Sequence, residues 1–205
     1  MCKKLPDDFL KEILALEASY LEYDEPIKQS GFGGDAARWR IEREPILDAI
    51  YSDGNILDVG CANGYLLECL VRWAKDRAIR LVPYGVDIGA KLIAIAKKRM
   101  PEYAENLYVG NAWEWKPPRQ FKYVYALYDC VPVQYLAEYI VKLLDQAAEP
   151  NGRLIIGAYG SKSKNIPPFD ISKFLLEAKF SLVGTSHGGE PPTSKFAWID
   201  RKPQL

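Results

Sequence analysis

Residues 56–64 read Ile-Leu-Asp-Val-Gly-Cys-Ala-Asn-Gly, and no other stretch restricts the fold so tightly. An apolar run carrying one acid stops at Gly60, and a second glycine follows at Gly64. An apolar pattern of helical spacing begins at once, with Leu66, Leu67, Leu70, Val71 and Trp73. The reading is a strand, a tight turn and a helix start. Glycine lets the backbone come close to a ligand, and a helix start presents N–H groups. In α/β sheets such a turn is where nucleotide-like molecules bind.

From that point strands and helices alternate. Strands are predicted at 55–60, 81–87, 107–110, 123–127 and 153–159, with helices near 64–77, 89–100, 134–148 and 170–179. This succession predicts a mainly parallel sheet with helices on both faces. The last two strands, 180–184 and 196–200, have no helix between them and must be antiparallel if they pair. Ahead of the alternation, residues 7–23 show a helical apolar face, and Asp35 is placed to cap a second helix through Arg38, Trp39 and Ile41. Pro45 kinks or restarts that helix.

At 205 residues the chain suits one domain. Lys+Arg and Asp+Glu both number 27, so the basic excess usual in nucleic-acid binders is missing. The basic cluster Lys97, Lys98 and Arg99 reads as a solvated helix end. Cys2, Cys61, Cys69 and Cys130 have neither metal-ligand spacing nor a disulfide framework, so no metal is expected and a reduced, cytoplasmic setting is. No apolar run reaches membrane-span length, and residues 1–8 do not read as a signal peptide.

Three successive strand ends carry plausible nucleoside contacts. The spacing Gly60-x-x-x-Gly64, with Ala62 between, departs from the Gly-x-Gly-x-x-Gly of dinucleotide sites. Asp87 closes the second strand, and a carboxylate there accepts from ribose hydroxyls or caps the next helix. Asn111 after the third strand offers an amide to an adenine edge or merely forms a turn. Trp113 offers a flat apolar partner for the ring or packs in the core.

Leu57-Asp58-Val59-Gly60-Cys61-Ala62-Asn63-Gly64, Tyr84-Gly85-Val86-Asp87-Ile88, Gly110-Asn111-Ala112-Trp113 and Glu149-Pro150-Asn151-Gly152-Arg153-Leu154 together resemble the class I S-adenosylmethionine-dependent methyltransferases, over about residues 45–201. The resemblance implies an α/β, Rossmann-like three-layer sandwich with a seven-stranded, mostly parallel sheet, an antiparallel last strand and added N-terminal helices. It implies S-adenosylmethionine as cofactor, S-adenosylhomocysteine as product, and a cofactor site drawn from Asp58, Gly60, Cys61, Ala62, Gly64, Asp87, Ile88, Asn111, Ala112, Trp113 and Leu127. Residues 55–205 form the cofactor-binding core on this reading, and 1–54 a helical cap or lid. Two positions depart from the family pattern. Ala62 stands where glycine is frequent, so the turn is expected to avoid positive φ there. Asn111 stands where aspartate is frequent.

Methyl transfer requires alignment of a nucleophile and exclusion of water, with a base only if the bound nucleophile is protonated. Asp129, just beyond the fourth strand, is placed to orient or deprotonate an amine or hydroxyl, or else to cap the following loop. His187, the single histidine, is a candidate base or a surface-loop residue. Tyr23, Phe32, Trp39 and Tyr128 are the candidate substrate contacts, and Arg38 or Arg40 could meet a carboxylate. The expected partner is a small molecule, with neither nucleic acid nor membrane, in a monomer or homodimer. The alternatives are a nicotinamide-dependent reductase and a non-catalytic S-adenosylmethionine-binding module.

Overall fold

The computed structural model describes residues 4–202; Cys2 lies outside them. Helix α1 (Asp7–Tyr20) comes first, with Asp7 and Asp8 in its first turn, where the helix dipole favours acids. Asp35 caps α2 (Ala36–Arg43), its side chain accepting from the Arg38 N–H. Pro45 then sits in the first turn of a 3-10 segment, Glu44–Ala49, so the helix restarts rather than continues.

The core runs β1 (Gly54–Val59), α3 (Tyr65–Asp76), β2 (Leu81–Asp87), α4 (Ala90–Arg99), β3 (Leu107–Val109), β4 (Phe121–Leu127), α5 (Leu136–Gln146), β5 (Ala148–Tyr159), α6 (Ile171–Glu177), β6 (Leu182–Gly188) and β7 (Ser194–Asp200). The seven strands order as β3-β2-β1-β4-β5-β7-β6. Strands β1 to β5 pair in parallel, while β7 is antiparallel to both β5 and β6. This is the expected seven-stranded α/β sheet with a reversed last strand.

Alternation along the strands builds the two apolar layers. Ile56, Tyr123 and Ile155 face the layer filled by Trp39 of α2, Leu67, Leu70 and Trp73 of α3, and Ile93 and Ala96 of α4. Leu57, Val59, Val124 and Ile156 face the layer filled by Leu136, Tyr139, Ile140 and Leu143 of α5 and by Leu175 of α6. In α3 the buried positions Leu67, Leu70 and Ala74 fall on one stripe, and burying each leucine contributes about 1.5–3 kcal/mol.

Three boundaries differ from the sequence reading. Helix α1 stops at Tyr20, short of residue 23. Pairing of β5 begins at Ala148, ahead of the 150–152 turn, with a register shift and left-handed Asn151 absorbing the irregularity. Strand β6 runs on to Gly188, so His187 lies within a strand opposite Lys195 rather than in a loop. No helix of the described residues is long and apolar enough to cross a membrane.

Candidate functional site

The sheet order reverses between β1 and β4, and a cavity of about 220 Å³ opens at the carboxyl ends of β1, β2, β3 and β4. Gly60, Asp87, Gly110 and Leu127 reach it from those four ends. Open α/β sheets hold ligands in such a crevice, because two adjacent loops diverge there.

The turn after β1 is built on left-handed residues. Gly60 has φ 87°, Ala62 φ 46° and Gly64 φ 72°. Ala62 therefore does adopt positive φ, contrary to the sequence expectation. The compensation is visible: its N–H donates to Asp87 Oδ2 at 2.8 Å, which fixes the strained peptide. Gly64 does not face the cavity. A Cβ there would stand 2.9 Å from both Ala96 Cβ and Met100 Cε, so this glycine serves the close approach of the turn to α4.

Asp87 is the hub. Its Oδ1 accepts from Gly89 N–H at 2.8 Å and its Oδ2 from Ala62 N–H, and each oxygen keeps a further lone pair. Burial pushes its carboxyl above the usual carboxylate range; the two N–H groups oppose this, and Glu17 adds to it. Asn111 uses Oδ1 to accept from Trp113 N–H at 2.8 Å. Its amide NH₂ remains as a donor on a side chain that lines the cavity. Val86, Ile88, Leu92 and Ala112 give the cavity its apolar walls.

Not every expected residue reaches this cavity. Asp58 and Cys61 are buried beneath the turn, with Cys61 packed against Gly85. Asp58 points into the same layer as Ile56 by strand alternation, its Oδ2 has no hydrogen-bond partner among the described residues, and burial followed by Asp87 pushes its pKa to about 8. Trp113, 3% exposed, is turned into the layer beneath by the Asn111 turn and stacks on Tyr139 at 6.3 Å.

Of the expected substrate contacts, Phe32 and Trp39 are buried and pack edge to face, holding the N-terminal segment down. The Arg43 guanidinium lies 3.8 Å from the Trp39 ring centre and 4.3 Å from those of Phe32 and Tyr159. Tyr23 is an exposed residue beneath Lys28. Tyr128 stacks on Phe169 at 4.6 Å. Arg38 and Arg40 are taken by Glu42 and Glu44. His187 stands on the solvent side, 4.0 Å from Glu190. Asp129 does line the cavity, beside Cys130. Burial raises the Asp129 carboxyl, opposed by its own backbone N–H, and holds the Cys130 thiol fully protonated.

Sequence reasoning missed the way the N-terminal segment meets the site. Leu10, Ile13, Leu16, Glu17 and Tyr20 of α1 form one wall of the cavity. Glu17 Oε1 accepts from Lys91 N–H at 2.7 Å and Leu92 N–H at 3.4 Å, capping α4 from a distant helix. Fully buried Asn63 donates to Pro26 O at 2.9 Å and Gln29 Oε1 at 3.2 Å, tying the turn to the same segment. The i, i+3, i+7 spacing of Leu10, Ile13 and Glu17 marked the face of α1 that turns inward, though not the element that it meets.

No protein-family model matches the sequence, and neither does any curated protein. Solved structures match in shape. A SAM-dependent methyltransferase from Aquifex aeolicus has TM-score 0.58 at 15% identity, over 90% of this chain and 97% of that one. The TehB-like SAM-dependent methyltransferase of Corynebacterium glutamicum has TM-score 0.59 at 18% identity, over 92% and 99%. DhpI, solved as a complex with SAH, has TM-score 0.61 at 16% identity, over 96% and 98%. The chain thus has the class I S-adenosylmethionine-dependent methyltransferase fold, across nearly its whole described length.

Proposed function

We propose that this protein transfers a methyl group from S-adenosylmethionine to a small-molecule acceptor. The observation that carries the proposal is the alignment of Asp87 and Asn111 at consecutive strand ends of one cavity, in a fold shared with methyltransferases. The residues suit the cofactor. Asp87 keeps lone pairs for ribose hydroxyls, Asn111 offers a donor to an adenine ring nitrogen, and Val86, Ile88 and Leu92 supply apolar contact. Bound S-adenosylmethionine would supply an electrophilic methyl group on a sulfonium.

The protein's own part is positional. Helix α1 covers the cavity and keeps water away, and the turn at Gly60 allows close backbone approach. Asp129, on the acceptor side, takes a proton from a bound nucleophile. Titration calorimetry tests the reading. S-adenosylmethionine and S-adenosylhomocysteine should bind, and NADH should not; the absence of any heat with millimolar S-adenosylmethionine would refute it. Formation of labelled product from a metabolite extract separates an enzyme from a silent binding module.

A further inference from the structure

We propose that the acceptor is a compact, apolar primary or secondary amine, anchored as its ammonium on Asp129 and Tyr20. This inference rests on the methyltransferase reading and adds a substrate class to it. Among the described residues, the cavity-lining side chains include three carboxylates, Glu17, Asp87 and Asp129, and none from lysine, arginine or histidine. An acceptor bearing a carboxylate or phosphate would enter with no counter-cation, against like charge. A cation is what this wall favours.

The three acids are not equivalent. Glu17 is committed to the N-terminus of α4, and Asp87 to the N–H groups of Ala62 and Gly89. Both belong to the cofactor side. Asp129 accepts only from its own backbone N–H among the described residues, and it keeps accessible surface that lines the cavity. The same cavity is lined by Leu5, Leu10, Leu16, Leu127 and Tyr20, which suit an apolar body. The Tyr20 hydroxyl rests over Gly31, where any larger residue would collide with it, and desolvation first, then Asp129 and Asp87, push the phenol above its ordinary pKa and keep it protonated. A neutral phenol beside a carboxylate serves an ammonium as a hydrogen-bond acceptor and its ring as a cation–π surface.

The step balances without a further reagent. The ammonium loses one proton to the Asp129 carboxylate, and the N–H pair becomes the nitrogen lone pair. That pair forms the new N–C bond while the C–S bond breaks, its electrons remaining on sulfur. Asp129 then passes the proton to solvent.

The test uses matched probes: benzylamine, benzyl alcohol and benzoate, and butylamine, butanol and butyrate. Binding is followed by calorimetry to the free protein and to protein saturated with S-adenosylhomocysteine, and transfer by labelled S-adenosylmethionine. The amines should bind at least tenfold more tightly than their partners and alone accept label. Asp129→Asn should remove that preference while leaving S-adenosylmethionine affinity within about twofold; Tyr20→Phe should weaken amine binding without abolishing it. Equal or tighter binding of the carboxylates or alcohols, their methylation in place of the amines, or no amine binding at all would overturn the inference. Failure of S-adenosylmethionine itself to bind would instead overturn the methyltransferase reading, and amine binding to the free protein would still decide the acceptor class.

Discussion

The Ala62 N–H donates to Asp87 Oδ2 at 2.8 Å, so the turn after β1 is held by the carboxylate that ends β2. One side chain thus shapes the glycine turn and faces the ligand cavity. Asp87→Ala should remove both functions at once, weakening S-adenosylmethionine binding by well over tenfold in calorimetry. Asp87→Asn keeps one carbonyl acceptor and should bind more tightly than the alanine variant. Equal losses would mean that the charge alone matters.

Adding a Cβ to the turn at position 64 should cost far more than removing one at position 62. Gly64→Ala places a Cβ 2.9 Å from Ala96 and Met100 at a φ of 72°, so a loss of roughly 1–3 kcal/mol is expected in urea unfolding. Ala62→Gly relieves a φ of 46° while loosening the unfolded chain, and the two effects offset to within about 1 kcal/mol.

Asp58 carries the clearest pH signature. Its pKa is about 8 in the folded state against 3.8 ordinarily, so between those values the folded chain holds one proton that the unfolded chain has lost. Stability therefore falls as pH rises through that window, by about 1.4 kcal/mol per pH unit from this group. Asp58→Asn should cancel that slope and leave the variant more stable than the parent near pH 8. Urea midpoints from pH 5 to 8 check this; a difference between the two proteins that did not change with pH would count against it.

Helix α1 has no buried residue and depends on a few contacts for its docking. Glu17→Ala deprives the Lys91 and Leu92 N–H groups of their acceptor, at a cost of roughly 1 kcal/mol. Hydrogen exchange across residues 7–20 should accelerate several-fold, while β1 and β4 stay unchanged. An unaltered α1 pattern would show that its apolar contacts suffice.

Arg43 is clasped by Phe32, Trp39 and Tyr159 and belongs to the packing rather than the cavity. Arg43→Lys keeps the charge but loses the planar stacking, and should lower stability by about 1–2 kcal/mol in the same unfolding assay.

The order of strands and helices was legible because period and punctuation are local: apolar runs end in Gly60, Asp87 and Gly110, and no helix separates β6 from β7. What escaped was the relation between distant elements. Trp113 sits in a stretch rich in site residues, yet the Asn111 turn rotates it into the α5 layer. Nothing near Glu17 in sequence shows that it caps α4, 74 residues away. Ala62 was misjudged because a propensity was read without the hydrogen bond that offsets it. His187 was placed in a loop because the glycines at 184 and 188 suggested an early strand end; pairing with β7 carries the strand through them.

The position of β7 between β5 and β6 also sets an order of events during synthesis. Strand β6 leaves the ribosome first, yet among the described residues its only sheet neighbour is β7. Until residues 194–200 emerge, β5 presents an open edge and β6 has nothing to join. The nascent chain therefore finishes its sheet from the inside, and the outermost strand is the last to be secured.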